Sequence, residues 1–281
     1  MASQDKSTFR NRLNDWKLFF WNSDKNEFLG RNGKSWALIT IFYVIFYAFL
    51  AALFSFTMWV LIQTTNDAKP RYQDRVSSPG VMIRPRGFSQ TKGLEVTVEP
   101  QNNATVTKYM SAVNDFFAPY RNEQQNAKDC KDGEYRKRLN EDTKMQACRF
   151  NLSLLGECAD PETAYRNGTP CVYIKMNKII GFIPGNGTHA PQVSCEGQKG
   201  ADIGPVSYFP SNKKLDVKYF PYFGRKYDLH YIQPVVAVKF ENLPLDKKSS
   251  VECRITGASI KIDENRDKYL GRVIFRLHFI N

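Results

Sequence analysis

Residues 36–66 form a run of thirty-one positions without a charged side chain, in a chain of 281 residues. A helix rises about 1.5 Å per residue, so about 20 residues cross a hydrocarbon core of about 30 Å. The stretch WALITIFYVIFYAFLAALFSFTMWVLI (36–62) therefore crosses with length to spare for tilt. Every cysteine and every Asn-x-Ser/Thr sequon lies after this run: Cys130, Cys148, Cys158, Cys171, Cys195 and Cys253, with Asn103, Asn151, Asn167 and Asn186. N-glycans and structural disulfides belong to the lumenal or extracellular side. The expectation is a single-pass type II chain with a short cytoplasmic N-terminus and a large exterior C-terminal part.

A cleaved signal peptide is the first rival. The apolar run begins 35 residues in and is too long for a signal h-region, and no clear small-residue cleavage site follows. Basic residues flanking the run do not choose an orientation: Lys25, Arg31 and Lys34 precede it, and Lys69, Arg71 and Arg75 follow. Long domains translocate largely regardless of such charges, so the sequons and cysteines decide.

Four parts are expected: a tail (1–35), the membrane helix (36–62), a Pro-, Gly- and Ser-rich stalk (63–93) and a β-sandwich domain (94–281). Net charge is +12, of which the tail carries +3 and the rest +9. The exterior positive charge is interleaved with acidic residues, which argues against a nucleic-acid ligand and for a basic surface facing anionic lipid or glycans. In the tail, Trp16, Leu18, Phe19 and Phe20 suit the headgroup region as a short amphipathic segment. The motif GRNGKS (30–35) has Phe28 where a phosphate-binding loop needs glycine, and reads as a juxtamembrane turn.

Beyond the membrane, 105–128 carries Val106, Tyr109, Met110, Val113, Phe116 and Phe117 at helical spacing, with Pro119 ending or kinking the helix. LEVTVEP (94–100) alternates as a strand, and from 148 onward strand signals dominate in CRFNLSLL, PCVYIKMNKIIGFIP, QPVVAVKFENL, SSVECRITGASIKI and GRVIFRLHFIN. Short strands joined by long loops point to an antiparallel sandwich. All four tryptophans (16, 21, 36, 59) precede this region, which argues against an antibody-type core with tryptophan packed on its disulfide. Six cysteines allow fifteen pairings, and their spacing, with only three histidines, does not make a metal cluster. No D-x-D, H-E-x-x-H or G-x-S-x-G motif occurs, and His189, His230 and His278 are scattered, so neither catalysis nor a cofactor is expected.

The segments FFWNSDKNEFLGR (19–31), FYVIFY (42–47), KPRYQDRVSSPG (69–80), CRFNLSLLGEC (148–158), GTPCVYIKMNKIIGFIP (168–184), YFPYFGRKY (219–227) and YIQPVVAVKFENL (231–243) occur here in one order. In combination the chain resembles the β subunits of the Na⁺/K⁺- and H⁺/K⁺-transporting P-type ATPases, over nearly its whole length. The resemblance implies an Ig-like sandwich with disulfides Cys130–Cys148, Cys158–Cys171 and Cys195–Cys253. It implies a non-catalytic plasma-membrane partner of a ten-helix α subunit, assisting its assembly and delivery and modulating K⁺ affinity. A small single-span regulatory subunit and membrane lipid are the other expected partners.

Two surfaces are expected to touch the α subunit. In the membrane, Tyr43 and Tyr47 lie at i and i+4 on one helical face, and Tyr47 sits roughly 16 Å inside Trp36. A phenol at that depth favours a hydrogen-bond partner on another helix; Ala48 and Ala52, with Ala51 and Ser55, form the adjoining small-residue face. Outside, the resemblance sets Tyr219, Phe220, Pro221, Tyr222, Phe223, Tyr231 and Gln233 against an extracellular loop of the α subunit. The alternative function is cell adhesion through the glycosylated exterior domain.

Overall fold

A computed structural model describes residues 16, 19–23, 25–66, 71–72, 78–86, 94–121, 127–137, 144–185, 189–257, 259–262, 267 and 269–280. The chain divides into two compact units, Met1–Thr65 and Asn66–Asn281.

In the first unit, β1 (Trp21–Asn22), β2 (Glu27–Phe28) and β3 (Arg31–Asn32) form a small antiparallel sheet. Leu29 and Gly30, both at positive φ (49° and 73°), make the two-residue β2–β3 turn, the backbone sign that type I′ hairpins require. Trp16, Phe19 and Phe20 are exposed, whereas Leu18 lies outside the described residues. Helix α1 (Gly33–Gln63) follows, and the GRNGKS segment supplies its start: Asn32 caps it by accepting from the Ser35 N–H at 2.9 Å. The run contains no proline and no interior glycine to interrupt it. It is long and apolar enough to cross a membrane, and none of its residues is buried within the chain. Trp36 and Trp59 stand about 34 Å apart along the axis, close to the thickness of a hydrocarbon core. The Thr57 hydroxyl donates to the Phe54 carbonyl at 2.9 Å, so this donor is satisfied within the helix.

The second unit is a sandwich of two four-stranded sheets. Its strands in chain order are β4 (Val81–Arg84), β5 (Glu95–Val98), the short β6 (Ala127–Lys128) and β7 (Ala147–Cys148), β8 (Cys171–Met176), β9 (Gln192–Gly197), β10 (Val206–Phe209), β11 (Val236–Phe240), β12 (Lys248–Thr256) and β13 (Arg272–Phe279). One sheet runs β10-β11-β8-β4 and the other β5-β13-β12-β9. Pairing is antiparallel in both except for β13 with β5, which is parallel. Alternation places Ile83, Ile174 and Val236 in register on one buried face, and Val251, Cys253, Val273 and Phe275 on the other. Phe240 and Phe275 meet edge to face at 6.2 Å across the interior. Each such side chain contributes about 1.5–3 kcal/mol by leaving water.

Helix α2 (Asn103–Phe117) covers the outer face of the β8 sheet. It buries Val106, Tyr109, Val113, Phe116 and Phe117; the Tyr109 hydroxyl donates to the Cys171 carbonyl at 2.6 Å, and Phe117 lies 4.9 Å from the Tyr173 ring. Pro119 sits in a 3₁₀ turn, Ala118–Tyr120, so the helix stops there instead of reaching 128. Two further expectations are revised. Strand β4 comes from the segment expected as stalk and pairs with β8 along the sheet edge. CRFNLSLL is not a strand beyond Cys148, because Asn151 caps a 3₁₀ segment, Leu152–Ala159, by accepting from the Ser153 N–H. Within it Gly156 has a φ of 51°, and a Cβ there would stand 2.6 Å from the Phe209 ring. A short helix α3 (Pro161–Arg166) follows.

The disulfides are Cys130–Cys148, Cys158–Cys171 and Cys195–Cys253. Cys195 and Cys253 are directly opposed in the β9–β12 register, with Cα atoms 4.0 Å apart. This bond staples neighbouring strands of one sheet, unlike the sheet-to-sheet disulfide of antibody domains.

Candidate functional site

On α1, Tyr43 and Tyr47 stack at 6.0 Å with an interplanar angle of 23°, and Phe42 and Phe46 stack at 6.1 Å beside them. Tyr43 is 48% and Tyr47 61% exposed, and neither hydroxyl has a hydrogen-bond partner among the described residues. Ala48 and Ala52 are likewise exposed. The helix thus presents two unsatisfied phenols and a shallow alanine surface away from its own chain.

The loop between Tyr219 and Gln233 is built around a buried ion pair. Arg136 and Asp228 have side chains 3% and 0% exposed and are joined in a fork, Nη1 to Oδ2 at 2.6 Å and Nη2 to Oδ1 at 3.0 Å. The same guanidinium donates to the Gln146 carbonyl at 3.0 Å and to that of Pro221 at 3.4 Å, while the Arg136 N–H donates to the Phe220 carbonyl at 2.8 Å. Asp228 also accepts from the Phe223 N–H at 3.4 Å. Phe223 and Tyr231 rings flank the guanidinium at 5.8 and 5.5 Å. Tyr231 lies 4.8 Å from Tyr222, and Lys178 stands over both rings at 5.3 and 5.5 Å. Burial pushes the Tyr231 phenol well above the ordinary tyrosine range, and burial lowers Lys178. One buried charge pair thereby fixes the path of an aromatic loop.

The expected contact residues separate by burial. Tyr219, Phe220, Pro221, Tyr231 and Gln233 lie in the interior. Tyr219 donates to the Arg149 carbonyl at 3.2 Å and packs 5.8 Å from Phe150; Gln233 donates to the Met176 carbonyl at 2.6 Å. These side chains hold the loop's shape. Tyr222 and Phe223 are half-buried and keep surface to offer. Beside them the structure exposes Leu229 (63%) and Ile180, which bridges to Tyr222. Sequence reasoning missed these two, as it missed Arg136 and Asp228, which lie 92 residues apart. An unpaired leucine between Asp228 and His230 was the only signal available for Leu229.

Among the sequons, Asn103 opens α2, Asn151 caps the 3₁₀ segment and Asn167 follows α3; all three are exposed, and Asn186 lies outside the described residues.

The family described as "Sodium / potassium ATPase beta chain" matches residues 6–275. The protein named sodium/potassium-transporting ATPase subunit beta-2 of Mus musculus is 40% identical over 289 residues, covering 99% of this chain and 98% of its own. Its Homo sapiens counterpart is 39% identical with the same coverage. Protein ATP1B4 of Xenopus laevis is 38% identical over 284 residues, covering 98% of this chain and 88% of its own. With the apolar helix, the disulfide-stapled sandwich and this match along nearly the entire sequence, the chain belongs to the sodium/potassium ATPase beta chain family.

Proposed function

We propose that this chain is the non-catalytic subunit of a Na⁺/K⁺-exchanging P-type pump. It pairs with the multi-span catalytic α subunit, supports its folding and delivery to the plasma membrane, and biases K⁺ affinity. Its N-terminus is cytoplasmic and its sandwich extracellular. Family membership supports the pairing, and one observation carries it: α1 holds two phenols without partners on one face, at depths where water is absent. A helix from another chain satisfies those hydroxyls and packs against Ala48 and Ala52. Outside, Tyr222 and Phe223 with Ile180 and Leu229 offer an apolar surface whose backbone is already fixed, so little ordering entropy is lost on docking. A bias on the transport cycle follows only from contacts that differ between the pump's conformers, and the tilt of α1 is the element proposed to differ.

Interhelical hydrogen bonds in membranes are worth about 0.6 kcal/mol on average. Replacing Tyr43 and Tyr47 together by Phe is expected to weaken assembly with the α subunit roughly tenfold, since 1.4 kcal/mol is a factor of ten. Quantitative co-purification of the double variant measures this. Wild-type assembly together with unaltered K⁺ affinity contradicts the tyrosine contact.

A further inference from the structure

At the edge where α2 meets β4 and β8, the second unit holds a cleft of about 370 Å³. It is lined by Arg84, Lys175 and Lys178 and walled by Phe116 and Tyr231, with Asp115 at its margin.

 Register explains why these cations converge. Arg84 opposes Tyr173 and Met82 opposes Lys175, so Arg84 and Lys175 are diagonal neighbours on the outer face of adjacent strands. Lys178 follows two residues after β8 ends, and its ammonium is held over the Tyr222 and Tyr231 rings. Lys175 stands 5.1 Å over the Phe116 ring. No carboxylate forms an ion pair with Arg84, Lys175 or Lys178 among the described residues; the Arg84 guanidinium donates to the neighbouring Ile83 carbonyl at 3.0 Å. Three cleft-lining cations, none in an ion pair among the described residues, are costly to hold together; Asp115 in the lining and the charge of Asp228 acting on Lys178 are the negative groups near them.

We infer that this cleft is a binding site for an oxyanion: a phosphate, sulfate or carboxylate group, either free or carried on a small organic molecule. An arginine fork and two ammonium groups are the donors that such groups take. The cavity is far larger than the roughly 30 Å³ occupied by one water, and the Phe116 and Tyr231 walls leave room for a carbon body behind the acid group. Nothing in this reading depends on the pump assignment. Burial, with Arg84, Lys178 and Arg86 beside it, pushes Lys175 down to about 8. The groups facing it are Arg84 and Arg86 from the β4 side, Asp115 and Tyr120 from α2 and the turn after it, and Lys178 and Tyr231 from the loops beyond. An anion bound there favours the protonated ammonium, so affinity is greatest below that value and falls as pH rises through it.

The test is calorimetric titration of the full-length chain in mild detergent, at fixed ionic strength, with inorganic sulfate in one arm and glucuronate in the other. Saturable binding in either arm is expected, about tenfold weaker in Lys175→Gln and in Arg84→Gln, and tighter in Asp115→Asn, which removes the nearby negative charge. Tighter sulfate identifies a free inorganic ion, and tighter glucuronate an acid group on an organic body. Absence of saturable binding in both arms, or affinities unchanged across the three variants, overturns the site. Lys175→Gln removes a half-buried charge and keeps the stem, and the Asp115→Asn arm reads the site through an exposed residue.

Discussion

Asp228 accepts from both terminal nitrogens of Arg136 where neither side chain meets solvent. Such a pair contributes little against a well-packed apolar substitute, yet losing one member strands the other charge. Asp228→Asn is therefore expected to cost about 3–5 kcal/mol, read as a shift in the denaturant midpoint of the full-length chain. A loss below about 1 kcal/mol would mean that the pair behaves as an exposed one. This pair also explains the limited legibility of the site. YFPYFG and YIQPVV advertise an aromatic cluster, but nothing local tells which rings face inward. Arg136 decides that, by drawing the Phe220 and Pro221 carbonyls inward and leaving Tyr222 and Phe223 at the surface. Tyr43 and Tyr47 were readable because helical spacing alone places them on one face.

Elements with a strong period were legible, and those held by partners were not. The uncharged run gave α1, the 3.6 spacing of Val106, Tyr109, Val113 and Phe116 gave α2, and alternation gave β5, β8, β11, β12 and β13. Strand β4 is four residues in a Pro- and Gly-rich stretch and exists through its pairing with β8. The parallel β5–β13 pairing joins segments too far apart for any local pattern to register. Asn151 and Gly156 turn an apolar stretch into a 3₁₀ segment, a choice that Phe209 enforces from elsewhere in the chain. The three disulfides differ in reach, with sequence separations of 18, 13 and 58. On a chain-entropy account the longest loop is worth about 4 kcal/mol and the shortest about 3. Removing Cys195 and Cys253 together by alanine substitution is expected to destabilise more than removing Cys158 and Cys171, by about 1 kcal/mol on that account. Comparing thermal unfolding of the two double variants checks it; a larger loss for the Cys158–Cys171 pair contradicts the ranking.

At the scale of the whole molecule, a helix with no buried residue and a disulfide-stapled sandwich make a chain suited to holding another protein. One helix does not enclose an ion pathway, and the polar atoms of α1 are few. On the proposed pairing, its contribution to transport is binding energy, which stabilises an assembled state by mass action. The net charge of +9 over residues 67–281 is consistent with a position facing anionic headgroups or glycans. Purifying the chain from its membrane in mild detergent, and measuring the stoichiometry and ATP-dependent phosphorylation of what co-elutes, tests the central claim most directly. The account predicts one multi-span, phosphorylated polypeptide at a 1:1 ratio; elution of this chain alone would contradict it.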